Sequence, residues 1–130
     1  MTENDKEKLK KDLSPEEYYV TQNQGTEPAF SGKYDGVKTP GVYNCIVCGE
    51  PLFSSKTKYD SGSGWPSFYD KINVNSIIEI EDNSHNMKRT EVICASCDSH
   101  LGHVFRDGPR KHGGERYCIN SAAMEFEVEE

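Results

Sequence analysis

Two Cys-x-x-Cys pairs, Cys45 with Cys48 in "VYNCIVCGEPLF" and Cys94 with Cys97 in "TEVICASCDSHLG", constrain this chain more than any other feature. In each, a strand-like run delivers the first cysteine, and the second is followed by a residue that tolerates positive φ, Gly49 in one case and Asp98 in the other. That is how a zinc knuckle turns. Four thiolates complete a tetrahedral zinc and leave no open position, which marks a structural site. The 45 residues between Cys48 and Cys94 are more than a compact zinc ribbon uses, so the metal is expected to clip together distant parts of a sheet. A thioredoxin-like redox reading needs the first cysteine to open a helix, and neither Gly49-Glu50-Pro51 nor Asp98-Ser99-His100 opens one. Cys97-x-x-His100 offers a nitrogen ligand as an alternative, although four sulfurs already suffice.

Such a staple suits the composition. A chain of 130 residues fits one domain, and with 34% hydrophobic and 28% charged residues its apolar supply is lean. Structural zinc contributes on the order of 10 to 16 kcal/mol of apparent binding energy in small peptides, against about 5 to 15 kcal/mol of net stability for an ordinary domain. No apolar run approaches the ~20 residues that cross a bilayer, and the start, MTENDKEKLKKDL, lacks the apolar stretch of a secretory signal. A cytoplasmic location with reduced thiols and no membrane partner is therefore expected. The formal net charge of -7 points away from nucleic acid, which is bound by basic surfaces.

Residues 1–13 read as a charged, flexible lead, and residues 14–130 as a single domain. In "LSPEEYYVTQ", Ser14 as N-cap, Pro15 at the first helical position and Glu17 closing a capping box predict a short helix over 15–22. From Phe30 onward, turn residues separate β-leaning runs: GVYNC, PLFSS, PSFYDKI, SIIEIE, RTEVIC, GHVFRD, RYCIN and MEFEVE. Their spacing predicts a mainly β fold of antiparallel sheets with tight turns.

With four thiols assigned to metal, Cys118 in "GGERYCINSAAMEF" is the one candidate nucleophile. A free cysteine buried as a small hydrophobe is the plainer reading. Its neighbours favour chemistry, because on an extended strand Arg116, Cys118 and Asn120 share one face: a cation, a thiol and an amide. A cation that lowered the thiol pKa from ~8.5 by about two units would make thiolate the major form at neutral pH. Two further stretches are dense in site-type residues. "SHLGHVFRDGP" carries His100, His103 and Asp107, and "KYDSGSGWPSF" sets the single tryptophan, Trp65, in a Gly/Ser-rich loop. An aromatic in such a loop can wall an apolar pocket, with imidazoles nearby as proton donors and acceptors.

These stretches together, TKYDSGSGWPSF, the paired Cys-x-x-Cys, RTEV-x-C, HLGHVF-x-DGP and RYCINSA, resemble the type B methionine sulfoxide reductases over residues 14 to 128. The resemblance implies two antiparallel sheets with short N-terminal helices, and a structural zinc on Cys45, Cys48, Cys94 and Cys97. It implies an oxidoreductase that repairs the R epimer of methionine sulfoxide in peptides and proteins without an organic cofactor. By resemblance, Cys118 is the nucleophile, Trp65 packs against the substrate's S-methyl group, and His103 and Asn120 hold the sulfoxide oxygen or a water bonded to it. His100, Asp107 and Arg116 then support binding and charge. The cysteine thiolate attacks the sulfoxide sulfur, a neighbouring acid, with His103 favoured, protonates the oxygen, and the cysteine becomes a sulfenic acid, which an external thiol reduces.

Many members of that family carry a second, resolving cysteine where this chain has Ser63. A hydroxyl forms no disulfide, so the expected reductant acts on Cys118 directly: thioredoxin, glutathione or a glutaredoxin. The protein is expected to act as a monomer. Two other functions stay open at the level of sequence. A zinc-stabilised module that recruits a protein partner predicts an inert Cys118, and a thiol peroxidase or sensor predicts a reactive Cys118 with no need of methionine sulfoxide.

Overall fold

The structure, a computed structural model, describes residues 12–129. Residues 1–11 of the expected charged lead lie outside the described residues, and Leu13, at the end of that lead, is buried. Among the described residues there is one α-helix, α1 (Pro15–Gln22), which the expected capping box closes: Glu17 N–H donates to Ser14 Oγ at 3.1 Å, and Ser14 N–H donates to Glu17 Oε1 at 2.9 Å. The rest is β structure. Strands β1 (Gly41–Cys45), β2 (Pro51–Ser54) and β9 (Met124–Val128) form a three-stranded sheet in the order β2-β1-β9. Strands β3 (Lys58–Tyr59), β4 (Ser67–Phe68), β5 (Ile77–Asp82), β6 (Arg89–Cys94), β7 (His100–Phe105) and β8 (Arg116–Ile119) form a six-stranded sheet in the order β3-β4-β8-β7-β6-β5. Every pairing is antiparallel.

The expected strands appear, with one contraction and one addition. PSFYDKI yields only Ser67–Phe68, because the chain turns away after Phe68, and Lys58–Tyr59 pairs with it as a short edge strand.

The core is apolar and aromatic. Tyr43 and Phe53 from the small sheet meet Phe68 and Tyr117 from the large one, with Phe53 stacked on Phe68 at 4.6 Å, Tyr43 edge-on to Phe68 at 5.3 Å and Phe53 tilted against Tyr117 at 5.6 Å. Aromatic pairs of this kind add about 0.5 to 1.5 kcal/mol each beyond their burial. Strand β8 alternates as the two-residue period requires: Tyr117 and Ile119 are fully buried in this core, so Arg116 and Cys118 face the opposite side of the sheet. That parity puts the candidate nucleophile where a ligand can reach it.

Candidate active site and metal centre

The two knuckles have the same backbone. Cys45 N–H donates to Glu50 O at 2.8 Å and Gly49 N–H to Cys45 O at 2.8 Å; Cys94 N–H donates to Ser99 O at 2.9 Å and Asp98 N–H to Cys94 O at 2.8 Å. Gly49 and Asp98 adopt the left-handed conformation expected of them, with φ of 82° and 61°. The turns bring the four sulfurs within 4.8 Å of one another, Cys45 to Cys97 at 3.6 Å and Cys48 to Cys94 at 3.5 Å. A tetrahedron of sulfurs about 2.3 Å from a central zinc has edges of about 3.8 Å, so the donor set fits that ion. Without a cation the four thiols share charge unevenly: hydrogen bonds with Cys94 and then Cys97 push the Cys45 thiol far up, while those with Cys45 and Cys94 pull Cys97 down. His100 is not among the ligands, since its Nδ1 lies 2.7 Å from Glu91 Oε2. Because Cys45 ends β1 and Cys94 ends β6, the metal would clip the two sheets to each other, not two parts of one sheet. Helix α1 is tied in as well, with Gln22 Nε2 donating to Ser99 Oγ at 3.2 Å and Ser99 Oγ lying 3.1 Å from Cys97 Sγ.

On the outer face of the large sheet, register builds a row of functional side chains. Ser67, Cys118, His103 and Glu91 are successive partners across β4, β8, β7 and β6, so their side chains stand side by side. A bulge in β7, opposite the Val92/Ile93 step, pairs His100 with Ile93 and turns its ring to within 5.5 Å of His103. A cavity of about 210 Å³ opens over this row, lined among others by Trp65, His103, Arg116, Cys118, Asn120 and Ser63. Six of the residues read from the sequence as site groups thus converge on one cavity, and the strand-face pairing of Arg116, Cys118 and Asn120 holds.

His100 and Asp107 do not line that cavity. His100 is 4% exposed behind His103, paired with Glu91 and with its Nε2 unpartnered. The Asp107 side chain is 64% exposed and grips Arg116 from outside, accepting from Nε at 2.8 Å and Nη2 at 3.2 Å. This ion pair raises the Arg116 pKa and lowers that of Asp107, and the guanidinium also stacks 4.4 Å over Phe105.

The loop 61–65 is shaped by Gly62 and Gly64, at φ of 76° and 91°; a Cβ at Gly64 would stand 2.8 Å from that of Ala29. Within it Ser63 Oγ lies 3.8 Å from Cys118 Sγ and 2.8 Å from Ser61 Oγ. The sequence led to the expectation that Arg116 would lower the Cys118 pKa to a thiolate-dominated value. The structure corrects this. Burial pushes the thiol above its ordinary range, and Ser63 and Arg116 only partly offset it, because the Arg116 charge is shared with Asp107.

Three acidic groups escaped the sequence reading. Glu27, 2% exposed, joins the two walls of the cavity: its carbonyl accepts from Trp65 Nε1 at 2.9 Å, its N–H donates to Asn120 Oδ1 at 3.0 Å, and its carboxylate accepts from Ala122 N–H at 2.9 Å. Burial raises its pKa. Asp82 Oδ2 lies 2.8 Å from His103 Nε2, and Glu91 holds His100. Thr26, Arg89 and Phe105 also line the cavity. A carboxylate in "TEPAF" or "EIEDNSH" has no local signal that separates it from surface charge, and only the three-dimensional pairing reveals it.

Residues 13–128 match the SelR domain family. Peptide methionine sulfoxide reductases MsrB from two Escherichia coli strains are each 58% identical to the chain over 120 residues, covering 92% of this chain and 87% of the relative. Among solved structures, the Mis18 "Yippee-like" domain aligns over 70% of this chain and 98% of its own with a TM-score of 0.56; at 17% identity that likeness concerns the fold alone.

Proposed function

This chain belongs to the SelR family of type B methionine sulfoxide reductases, which are oxidoreductases, and from that premise we propose that it reduces the R epimer of methionine sulfoxide in peptides and proteins through Cys118. The observation that carries the reading is the convergence of Trp65, His103, Arg116, Asn120 and Cys118 on a single cavity of about 210 Å³. Its size suits one side chain. Trp65 offers the apolar wall for the S-methyl group, held there by its bond to the Glu27 carbonyl. Asn120, fixed through Oδ1 by Glu27 N–H at 3.0 Å and through Nδ2 by the Leu101 carbonyl at 2.9 Å, and His103 flank the position of the sulfoxide oxygen. Arg116 supplies positive charge beside the nucleophile, and Asp107 orients it.

The reaction exchanges one oxygen and two electrons between two sulfur atoms. Cys118 sulfur attacks the sulfoxide sulfur, its proton ends on the oxygen, and thiol plus sulfoxide become sulfenic acid plus thioether with no proton gained or lost. The remaining step needs a second thiol. Ser63 stands 3.8 Å from Cys118 Sγ with a hydroxyl that cannot resolve the sulfenic acid, and the other four cysteines form the metal cluster. An external thiol, thioredoxin, glutathione or a glutaredoxin, therefore completes the cycle on Cys118 itself. Cys45, Cys48, Cys94 and Cys97 would hold zinc, which when bound supplies structure and no open coordination position. We further propose a single catalytic domain that works as a monomer in a reducing compartment. Epimer-resolved turnover with dithiothreitol tests the assignment. Methionine should form from the R peptide alone and vanish with Cys118→Ser, whereas equal reduction of the S peptide or an active serine variant would refute it.

A further inference from the structure

We infer that Asp82 is a positioning residue that fixes His103 in the tautomer protonated at Nε2, so that the nitrogen left for the cavity is Nδ1, a proton acceptor. The inference rests on the reductase reading and adds to it a residue and a direction of proton flow. Asp82 is the last residue of edge strand β5, and its carboxylate reaches past β6 to a histidine on β7. Both oxygens are committed: Oδ1 accepts from Ser84 N–H at 3.0 Å, while Oδ2 takes His103 Nε2 at 2.8 Å and Arg89 Nη2 at 3.4 Å. So many donors hold the Asp82 carboxyl ionised, with its pKa well below the usual carboxylate range and His103 the largest cause. An ionised carboxylate only accepts, so the ring proton sits on Nε2.

The groups that face His103 are Asp82 from β5, Arg89 and Glu91 from β6, His100 and Phe105 from its own strand, and Cys118 from β8. Burial first, then Arg89 and His100, lower its pKa against the opposing pull of Asp82, so the resting ring is neutral. A neutral ring with Nε2–H presents a lone pair at Nδ1, and no protein group among the described residues hydrogen-bonds that atom. Cys118 stands directly across the β7–β8 ladder, its burial holding it as a thiol. With His103 and Cys118 as ladder partners, the proton passes from Cys118 Sγ to Nδ1 through one water or once substrate draws the two groups together, with Asp82 offsetting the imidazolium charge, and from Nδ1 to the sulfoxide oxygen as the sulfur–oxygen bond breaks. The opposite tautomer would aim the Nε2 lone pair at the carboxylate and block the first transfer.

The test is Asp82→Asn in the zinc-loaded protein, read by nitrogen NMR of the four imidazoles without substrate and then by steady-state kinetics. The wild type should show His103 with Nε2 protonated. The asparagine amide donates where the carboxylate accepted, so the variant should favour the Nδ1-protonated form and lose kcat on the order of 100-fold with KM little changed. Asp82→Glu should restore both. A wild-type ring protonated at Nδ1 would overturn the inference, as would an Asp82→Asn variant that melts lower yet keeps tautomer and kcat. A wild type that shows the expected tautomer but reduces no sulfoxide would overturn the functional reading and leave the tautomer assignment standing.

Discussion

Replacing Ser63 by cysteine should change how the catalytic cycle ends. In the structure Ser63 Oγ is 3.8 Å from Cys118 Sγ, and a disulfide needs about 2.05 Å, so the two sulfurs must approach by about 1.8 Å. Gly62 and Gly64, on either side of position 63, give the loop the backbone freedom to supply that movement. One turnover of Ser63→Cys should convert the Cys118 sulfenic acid into a disulfide spanning a separation of 55 residues. Closing a loop of that length in the unfolded chain stabilises the native state by about 4 kcal/mol in the chain-entropy model. For a domain of this size each kcal/mol is worth roughly 3 to 4 °C, so the oxidised variant should melt on the order of 10 °C above its reduced form. The assay is one equivalent of a methionine-R-sulfoxide peptide, peptide mapping for the cross-link between positions 63 and 118, and melting before and after dithiothreitol. Wild-type protein treated in the same way should show no cross-link. Turnover by Ser63→Cys that left Cys118 as the sulfenic acid beside a free thiol at position 63, or a cross-linked protein that melted no higher than the reduced one, would refute the geometric reasoning.

The four-cysteine cluster should hold one zinc per chain, and its removal by a chelator should unfold the domain, because a structural zinc contributes on the order of 10 kcal/mol or more. Metal analysis with melting curves checks this, and an unchanged melt after complete metal loss would contradict it. The half-buried Cys118 thiol should alkylate slowly at neutral pH, because desolvation raises its pKa. Since the reactive form is the thiolate and burial raises the pKa, the iodoacetamide rate should climb about tenfold per pH unit through pH 8. A rate that levels off below pH 8 would place the thiolate lower than the structure does.

Much of the scaffold was legible because its signals are local. The capping box at Ser14 and Glu17 marked the helix, alternation marked the longer strands, and Cys-x-x-Cys followed by Gly49 or Asp98 marked the knuckles. The two-residue period put Arg116, Cys118 and Asn120 on one face without any knowledge of their surroundings. What escaped depends on distance in sequence. Asp82 meets His103 across 21 residues, Glu27 meets Asn120 across 93, and the placement of His100 depends on a bulge that no single stretch of chain announces. The Cys118 pKa was read wrongly for a related reason: Arg116 is visible two residues away, whereas the burial that outweighs it is assembled by the whole fold.

In the proposed function, Cys118 takes the oxygen of methionine-R-sulfoxide with no second cysteine to resolve it. Anaerobic single-turnover mass spectrometry of the reduced, zinc-loaded protein tests this directly, with diastereomerically pure R and S peptides. The account predicts one equivalent of methionine from the R peptide alone and one added oxygen on Cys118, trapped as a dimedone adduct, with no internal disulfide. Failure to reduce either epimer while zinc is bound and the fold intact would contradict it.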